Sequence, residues 1–256
     1  MGKLKVVMLI CDGSSSRIIY HKLKNDCDIV CVIKEDSIPN SILLKNRIKK
    51  LRYIKVFGQL TFMVFNKFLK LISKARIEEI KNKHNLDTSS IEHDNIVSVN
   101  SINDKKVEDI LKEMNPDLVL VNGTRIIKSN ILSSLDKPFV NTHVGITPKY
   151  RGVHGGYWAL ANNDKENCGV TVHLVDEGID TGNILYQAII ETSEEDNFNT
   201  YPYLQTAQAI DLLGSVLNDL KNDGLKPKES LTKESALWSH PTIFEYVKNF
   251  IKFGVK

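Results

Sequence analysis

The chain has 256 residues, of which 25% are charged and 42% hydrophobic, the balance of an ordinary soluble protein. A chain of this length buries most of the surface its unfolded form exposes, so it needs neither disulfides nor a structural metal to fold. The net charge of +3 is too small to indicate nucleic acid or a membrane as partner, and no uncharged run approaches the roughly 18 residues of a transmembrane helix.

Met1-Gly2-Lys3-Leu4-Lys5 runs into an apolar stretch that ends at Cys11-Asp12-Gly13. It is too short for the core of a signal peptide and reads as a first strand. Further strands are predicted over 28–33, 96–99, 117–121 and 138–142, alternating with helix-like segments. That is the pattern of an α/β, Rossmann-like fold with a mostly parallel central sheet and flanking helices. The spacing of Ile102, Val107, Ile110, Leu111 and Met114 predicts a helix from about Asn103 to the stop signal Asn115-Pro116-Asp117.

The second half changes character. Alternation over 169–176 and 183–191 predicts an antiparallel hairpin. A helix follows from about Thr200 to Asn222, with Pro202 in its first turn. From Gly224 onward the chain is polar, with an aromatic patch at Trp238, Phe244, Tyr246 and Phe250. The predicted organisation is a main domain over 1–191 and a small helical extension over 192–256, whose aromatic patch suits a subunit contact in a homodimer.

Residues 41–85 stand apart, with twelve Lys or Arg against Glu78 and Glu79 alone. Leu43, Ile48, Leu51, Ile54, Phe57, Phe62, Phe65, Leu69 and Ile72 are interleaved with them. This reads as a basic, amphipathic helical insertion between two strands. Its apolar side packs on the domain or on a second subunit; an anionic ligand or membrane surface is the alternative. Cys11, Cys27, Cys31 and Cys168 lack Cys-x-x-Cys spacing, and Cys11 and Cys31 lie in apolar runs, as buried thiols do. A reduced, cytoplasmic compartment is the expectation.

The chemistry concentrates in Val140-Asn141-Thr142-His143-Val144-Gly145-Ile146-Thr147-Pro148-Lys149-Tyr150-Arg151-Gly152. Strand alternation puts Asn141 and His143 on the same side of a strand end, where open α/β sheets hold their ligands. Downstream, Gly169-Val170-Thr171-Val172-His173 leads to Asp176-Glu177-Gly178-Ile179-Asp180-Thr181-Gly182, a loop whose glycines present Asp180 inward. Acyl transfer to an amine needs a proton shuttle, an oxyanion donor and a group that steadies the shuttle. An imidazole, a neutral carboxamide and a carboxylate supply one of each. Taken singly, each residue suits a turn or a structural role better than a catalytic one. His143, His154, His173 and Asp180 match no familiar zinc spacing, so no metal is expected.

Asn-x-His, Pro-x-Tyr-Arg-Gly and Gly-Val-Thr-Val-His followed by Asp-x-Gly, in this order, resemble the folate-dependent formyltransferases. That family includes glycinamide ribonucleotide, methionyl-tRNA and nucleotide-sugar formyltransferases. The resemblance runs from about Asp117 to Glu191, and more weakly from Leu4 to Ile33. It implies that Asn141, His143 and Asp180 are the catalytic trio, with His173 nearby. It also implies a donor site for 10-formyltetrahydrofolate between Gly123-Thr124-Arg125-Ile126-Ile127 and Val175, Asp176 and Gly178. There Ile126 and Ile127 would form an apolar slot, and Arg125 would face folate carboxylates or solvent.

Three acceptors compete. A nucleotide-linked amino sugar, of the kind used for cell-surface polysaccharide such as O-antigen, is favoured by the size of the 192–256 extension. Tyr150, Arg151, Gly152, Tyr157 and Trp158 would offer it a cation and aromatic faces, although the aromatics equally suit the opening of a core helix. A purine ribotide is the second; Gly13 and Ser14 could take its phosphate at a helix N-terminus, but Asp12 would repel it. Methionyl-tRNA is the third; it calls for an RNA-binding domain of about 100 residues, longer than the 192–256 segment. A non-catalytic folate-binding relative is the reading outside enzymes.

Overall fold

The computed structural model describes residues 2–256, and all of their side chains except those of Asn40 and Lys50. The chain runs β1 (Lys5–Cys11), α1 (Ser14–Leu23), β2 (Asp28–Glu35), α2 (Asn40–Lys50), α3 (Tyr53–Ile72), α4 (Lys74–His84) and β3 (Ile96–Val99). It continues through α5 (Lys105–Met114), β4 (Leu118–Asn122), α6 (Ser129–Leu132), β5 (Phe139–His143), β6 (Arg151–Gly152), α7 (Gly155–Ala161) and β7 (Gly169–Leu174). β8 (Ile184–Ile189), α8 (Tyr201–Asn222), β9 (Leu237–Trp238) and α9 (Ile243–Phe253) complete it.

Seven strands form one sheet in the order β3-β2-β1-β4-β5-β7-β8. The first five are parallel, and β7 and β8 add an antiparallel hairpin, as the alternation predicted. β1 is apolar on both faces because both are covered, the rule for parallel strands. Val6, Met8 and Ile10 join one buried cluster with α1 and α8, while Val7 and Leu9 join another with α5. α5 begins two residues later than expected; Ile102 lies before it and is still fully buried. Leu213, Val216 and Leu217 of α8 share the cluster of β1, so this helix, placed by sequence in the extension, packs directly on the sheet.

The insertion is helical throughout, as α2, α3 and α4, but its apolar residues do not share one face. Phe62 and Leu69 are buried against α7 and α9, whereas Ile54, Phe57 and Ile72 point outward. α3 is apolar around most of its circumference, so a single amphipathic stripe was the wrong description. None of the described helices is long and apolar enough to cross a membrane. The C-terminal stretch returns to the segment after β5: β9 and β6 form a separate two-stranded parallel sheet, pairing Arg151 with Leu237 and Gly152 with Trp238.

Candidate active site

β5 ends beside β4 on one side and β7 on the other, and this junction opens into a cavity of about 910 Å³. Asn141, His143, His173 and Asp180 all line it. Asn141 stands opposite His173 in the β5–β7 pairing, and their side chains meet at 3.1 Å. The Leu174 carbonyl, 2.8 Å from His173 Nδ1, can only accept, so that nitrogen carries a proton. His173 Nε2 therefore accepts from the Asn141 amide, which is thereby oriented with its second N–H left over.

His143 is fixed in the same manner. Its Nε2 lies 2.7 Å from the Tyr150 carbonyl, which makes Nε2 the protonated nitrogen of the neutral ring. Nδ1 is then an unshared lone pair 3.4 Å from Asp180 Oδ2. The loop after β5 is held for this purpose: Thr171 Oγ donates to the Gly145 carbonyl and accepts from the Thr147 N–H. A Cβ on Gly145 would sit 2.4 Å from the Tyr150 oxygen and 2.8 Å from His143 Nε2, so no larger residue lets that contact form.

Asp180 occupies the left-handed region, with φ of 51°, a conformation Asp tolerates better than most residues. Its Oδ2 accepts from the Gly152 N–H at 2.9 Å, and its Oδ1 lies 3.7 Å from His173 Nε2. Gly152 itself has φ of 95°, and a Cβ there would collide with the Trp238 carbonyl at 2.3 Å. The loop bearing Asp180, β6 and the C-terminal β9 are thus locked together around the carboxylate.

Burial lowers the His143 pKa below its ordinary value; the Asp180 charge and the Tyr150 carbonyl raise it, without cancelling the burial. Burial raises the Asp180 carboxyl, but the surrounding His173, His143 and Gly152 N–H hold it down, at about 2. At neutral pH the site therefore holds a neutral imidazole beside an ionised carboxylate. If His143 is the base, the acid limb of kcat/KM falls below the ordinary 6.5 of histidine. Asp180→Asn removes the charge that raises the imidazole, so the limb moves further down in pH as the rate drops. A kcat/KM profile at constant ionic strength checks this; a wild-type limb at or above 6.5 contradicts the assignment.

The remaining predicted residues divide. Gly123, Thr124, Arg125, Ile126, Ile127, Val175, Asp176 and Gly178 all line the cavity. Arg125, however, spends its guanidinium on the Asn100 and Asp36 carbonyls, beside Glu35, rather than presenting it to a ligand. Asp176 accepts from the Gly178 N–H and the Thr181 hydroxyl, which shapes its own turn. Ile127 is buried in the core beneath, while Ile126 and Ile179 are 51% and 37% exposed at the lip. Gly13 and Ser14 do not line the cavity; Ser15 does, and Ser15 and Ser16 donate to Asn122 Oδ1. Asp12 is neutralised there by Arg17 and Lys34.

The aromatic faces offered to a base or sugar are a correction. Tyr150, Tyr157 and Trp158 are 1%, 2% and 6% exposed, inside a cluster with Phe198, Tyr201 and Tyr246. Tyr150 donates to Asp164, Trp158 donates to the Ser239 carbonyl, and Tyr157 accepts from Asn249. Tyr157 and Trp158 open a core helix, packed with residues of α3 and α9, and Tyr150 stacks on Trp238. Arg151 lies outside the cavity lining, where its Nη1 reaches the Ile179 carbonyl. Sequence reasoning missed Arg47, Lys55 and Gln59 from the insertion, and Trp238, Ser239 and His240 from the tail, all of which line the cavity. The run Trp238-Ser239-His240, standing out in a polar segment, was the available signal for the tail.

A Rossmann-like sheet thus brings a carboxamide, an imidazole and a carboxylate to one cavity at the carboxyl end of β5, groups of the kind acyl transfer uses. The family model described as formyl transferase matches residues 4–208, and the chain belongs to that family of enzymes. It is 32% identical over 143 residues to a methionyl-tRNA formyltransferase of Finegoldia magna, covering 56% of this chain and 46% of that one. A second methionyl-tRNA formyltransferase, from Caldanaerobacter subterraneus, is 32% identical over 126 residues, 49% of this chain and 40% of its own. The chain thus spans less than half the length of these curated relatives.

Among solved structures, a sugar N-formyltransferase from a Shewanella species superposes with a TM-score of 0.53 at 19% identity, over 92% of this chain and 76% of that one. A phosphoribosylglycinamide formyltransferase from Bacillus halodurans gives 0.55 at 20%, over 86% and 96%. A 4-N formyltransferase from Francisella tularensis gives 0.56 at 17%, over 96% and 78%. At these identities the shared property is the fold.

Proposed function

We propose that this chain moves a formyl group from 10-formyltetrahydrofolate to the amine of a nucleotide-linked amino sugar. The observation that carries the acceptor class is the shape of the site. The trio shares a cavity of about 910 Å³ with residues of α2, α3 and 237–240, a size that suits a small molecule. That volume supports an amine carried on a compact molecule over the end of a tRNA. The ion pairs on Asp12 leave the first loop without free cations for a ribotide phosphate, which argues against the purine acceptor.

The donor end fits a folate. Gly123, with φ of 73°, exposes backbone beside Val121 and Val175, and the apolar Ile126 and Ile179 stand exposed at the lip as a flat ring would require. 10-Formyltetrahydrofolate would supply the formyl carbon, whose bond to the folate nitrogen is replaced by a bond to the acceptor amine. His143 Nδ1 takes the proton that the amine gives up, and the resulting imidazolium faces Asp180. The free N–H of Asn141 donates to the formyl oxygen as it gains charge. The proton on His143 then returns to the departing folate nitrogen.

Mass-spectrometric assay of the purified chain with 10-formyltetrahydrofolate tests the acceptor. Amino-deoxy UDP- and dTDP-sugars are compared with glycinamide ribonucleotide and methionyl-tRNA. A nucleotide sugar formylated with the highest kcat/KM is expected; preference for ribotide or tRNA overturns the reading.

We read the outer face of α3 as a homodimer contact. Tyr53, Ile54, Phe57, Val64, Phe68 and Ile72 are exposed along it, and Phe244 and Ile251 of the adjoining α9 are too. Their exposed area is on the order of 1,000 Å², against the few hundred Å² of a typical monomer's largest patch and the roughly 800 Å² per partner of a stable interface. Analytical ultracentrifugation should show a dimer that Phe57→Asp plus Phe68→Asp dissociates. A wild-type monomer at micromolar concentration, or binding to anionic vesicles in place of self-association, contradicts the contact.

A further inference from the structure

The inner side of the insertion faces the cavity that the trio shares. Arg47 of α2 and Lys55 and Gln59 of α3 form this wall with Trp238, Ser239 and His240. Two carboxylates line the cavity, Asp176 and Asp180, and both are already committed, to the turn at 176–181 and to Gly152. Among the described residues the ion pairs involve neither Arg47 nor Lys55. The polar contact recorded for Arg47 is a 3.5 Å approach to Met63 Sδ, a weak acceptor.

Gln59 adds an independent observation. It is 1% exposed, and its Nε2 donates to the His240 carbonyl at 2.7 Å, which fixes the sense of the amide. Its Oε1 is then a buried acceptor with no partner. Buried polar atoms are nearly always satisfied, so an orphan on a cavity wall calls for a donor, from a water or from a ligand in the cavity. The neighbouring His240 is bound to His154 at 2.9 Å, and burial lowers both imidazoles, to about 4 and about 3, so neither is a competing cation at neutral pH.

We propose that this wall is the anion-recognising end of the acceptor site. Arg47 and Lys55 hold a phosphate or diphosphate of the acceptor, and Gln59 Oε1 accepts a hydrogen bond from a hydroxyl or N–H of the same molecule. A planar guanidinium suits paired phosphate oxygens, and an ammonium adds a mobile point charge. The acceptor's amine is thereby turned toward His143. The assignment deepens the nucleotide-sugar reading and rests on it for the identity of the amine, but the anion site stands or falls by binding alone.

The test is isothermal titration of the whole chain with uridine 5′-diphosphate, inorganic pyrophosphate and tetrahydrofolate, at low and high salt, for wild type, Arg47→Ala and Lys55→Ala. Both side chains lie at the cavity surface, and far-UV circular dichroism confirms that the variants are folded. The diphosphates should bind wild type with salt-sensitive affinity. Each variant should weaken them about ten-fold or more, while tetrahydrofolate binds as before. Absence of diphosphate binding at millimolar concentration, or equal binding by the variants, overturns the site. Loss of tetrahydrofolate affinity in their place assigns the cations to the donor's carboxylates and overturns it too. Diphosphate binding with no formyl transfer to any nucleotide sugar leaves the anion site standing and removes the function proposed above.

Discussion

His143→Ala should reduce turnover by two to four orders of magnitude, the range of a lost general base, while substrate binding changes little. The Tyr150 carbonyl holds the Nε2 proton of the neutral ring, which leaves Nδ1, 3.4 Å from Asp180, as the nitrogen able to take a proton. Alanine leaves that carbonyl without its donor, which costs about 1–3 kcal/mol of stability and so shows in a melt without unfolding the chain. Asn141→Ala should cost about two to three orders in rate by removing the oxyanion donor. The two together should lose far less than the product of the single losses, because they act on the same reacting group. Asp180→Asn is the informative third variant. Asn also tolerates the left-handed backbone and keeps an oxygen for the Gly152 N–H, so the loss reports the missing charge. Single-turnover formyl transfer with saturating donor measures all of these. Turnover of His143→Ala within a few-fold of wild type removes the histidine from the mechanism.

Tyr157→Ala should destabilise the protein by about 3–5 kcal/mol, enough to take a large share of a domain's total of about 5–15 kcal/mol. The ring is buried among Trp158 at 5.2 Å, Phe198 at 5.2 Å and Tyr246 at 6.0 Å, and nothing nearby is free to collapse into the space. Tyr157→Phe removes only the hydroxyl that accepts from Asn249 and should cost about 1 kcal/mol. Urea unfolding of both variants separates this from a ligand-binding role. A stable Tyr157→Ala protein with weakened acceptor binding would return the residue to the substrate site.

Most of the sheet was legible in the chain because its signals are local. Alternation in 139–143 was sufficient to put Asn141 and His143 on one side of β5, and the Pro116 stop bounded α5. The hairpin itself was legible from alternation, but its register against β5, which sets His173 opposite Asn141, was decided by the fold. Asp180 was legible as a loop residue, but its aim depends on Gly152, and hence on β9 some 85 residues away.

What the sequence determined alone was the order of the strands along the chain, the residue types of the trio and the side of the sheet on which two of them stand. These follow from backbone periodicity, a property of neighbouring residues. Only the tertiary structure decided that Tyr157 and Trp158 are core, since an aromatic stripe looks the same whether α3 and α9 cover it or a ligand does. The fold likewise decided that α3 turns one face to the cavity and another outward, and that Trp238 and His240 belong to the site. Those outcomes depend on contacts between residues far apart in the chain, 181 positions from Gln59 to His240 and 81 from Trp158 to Ser239, which no local pattern encodes.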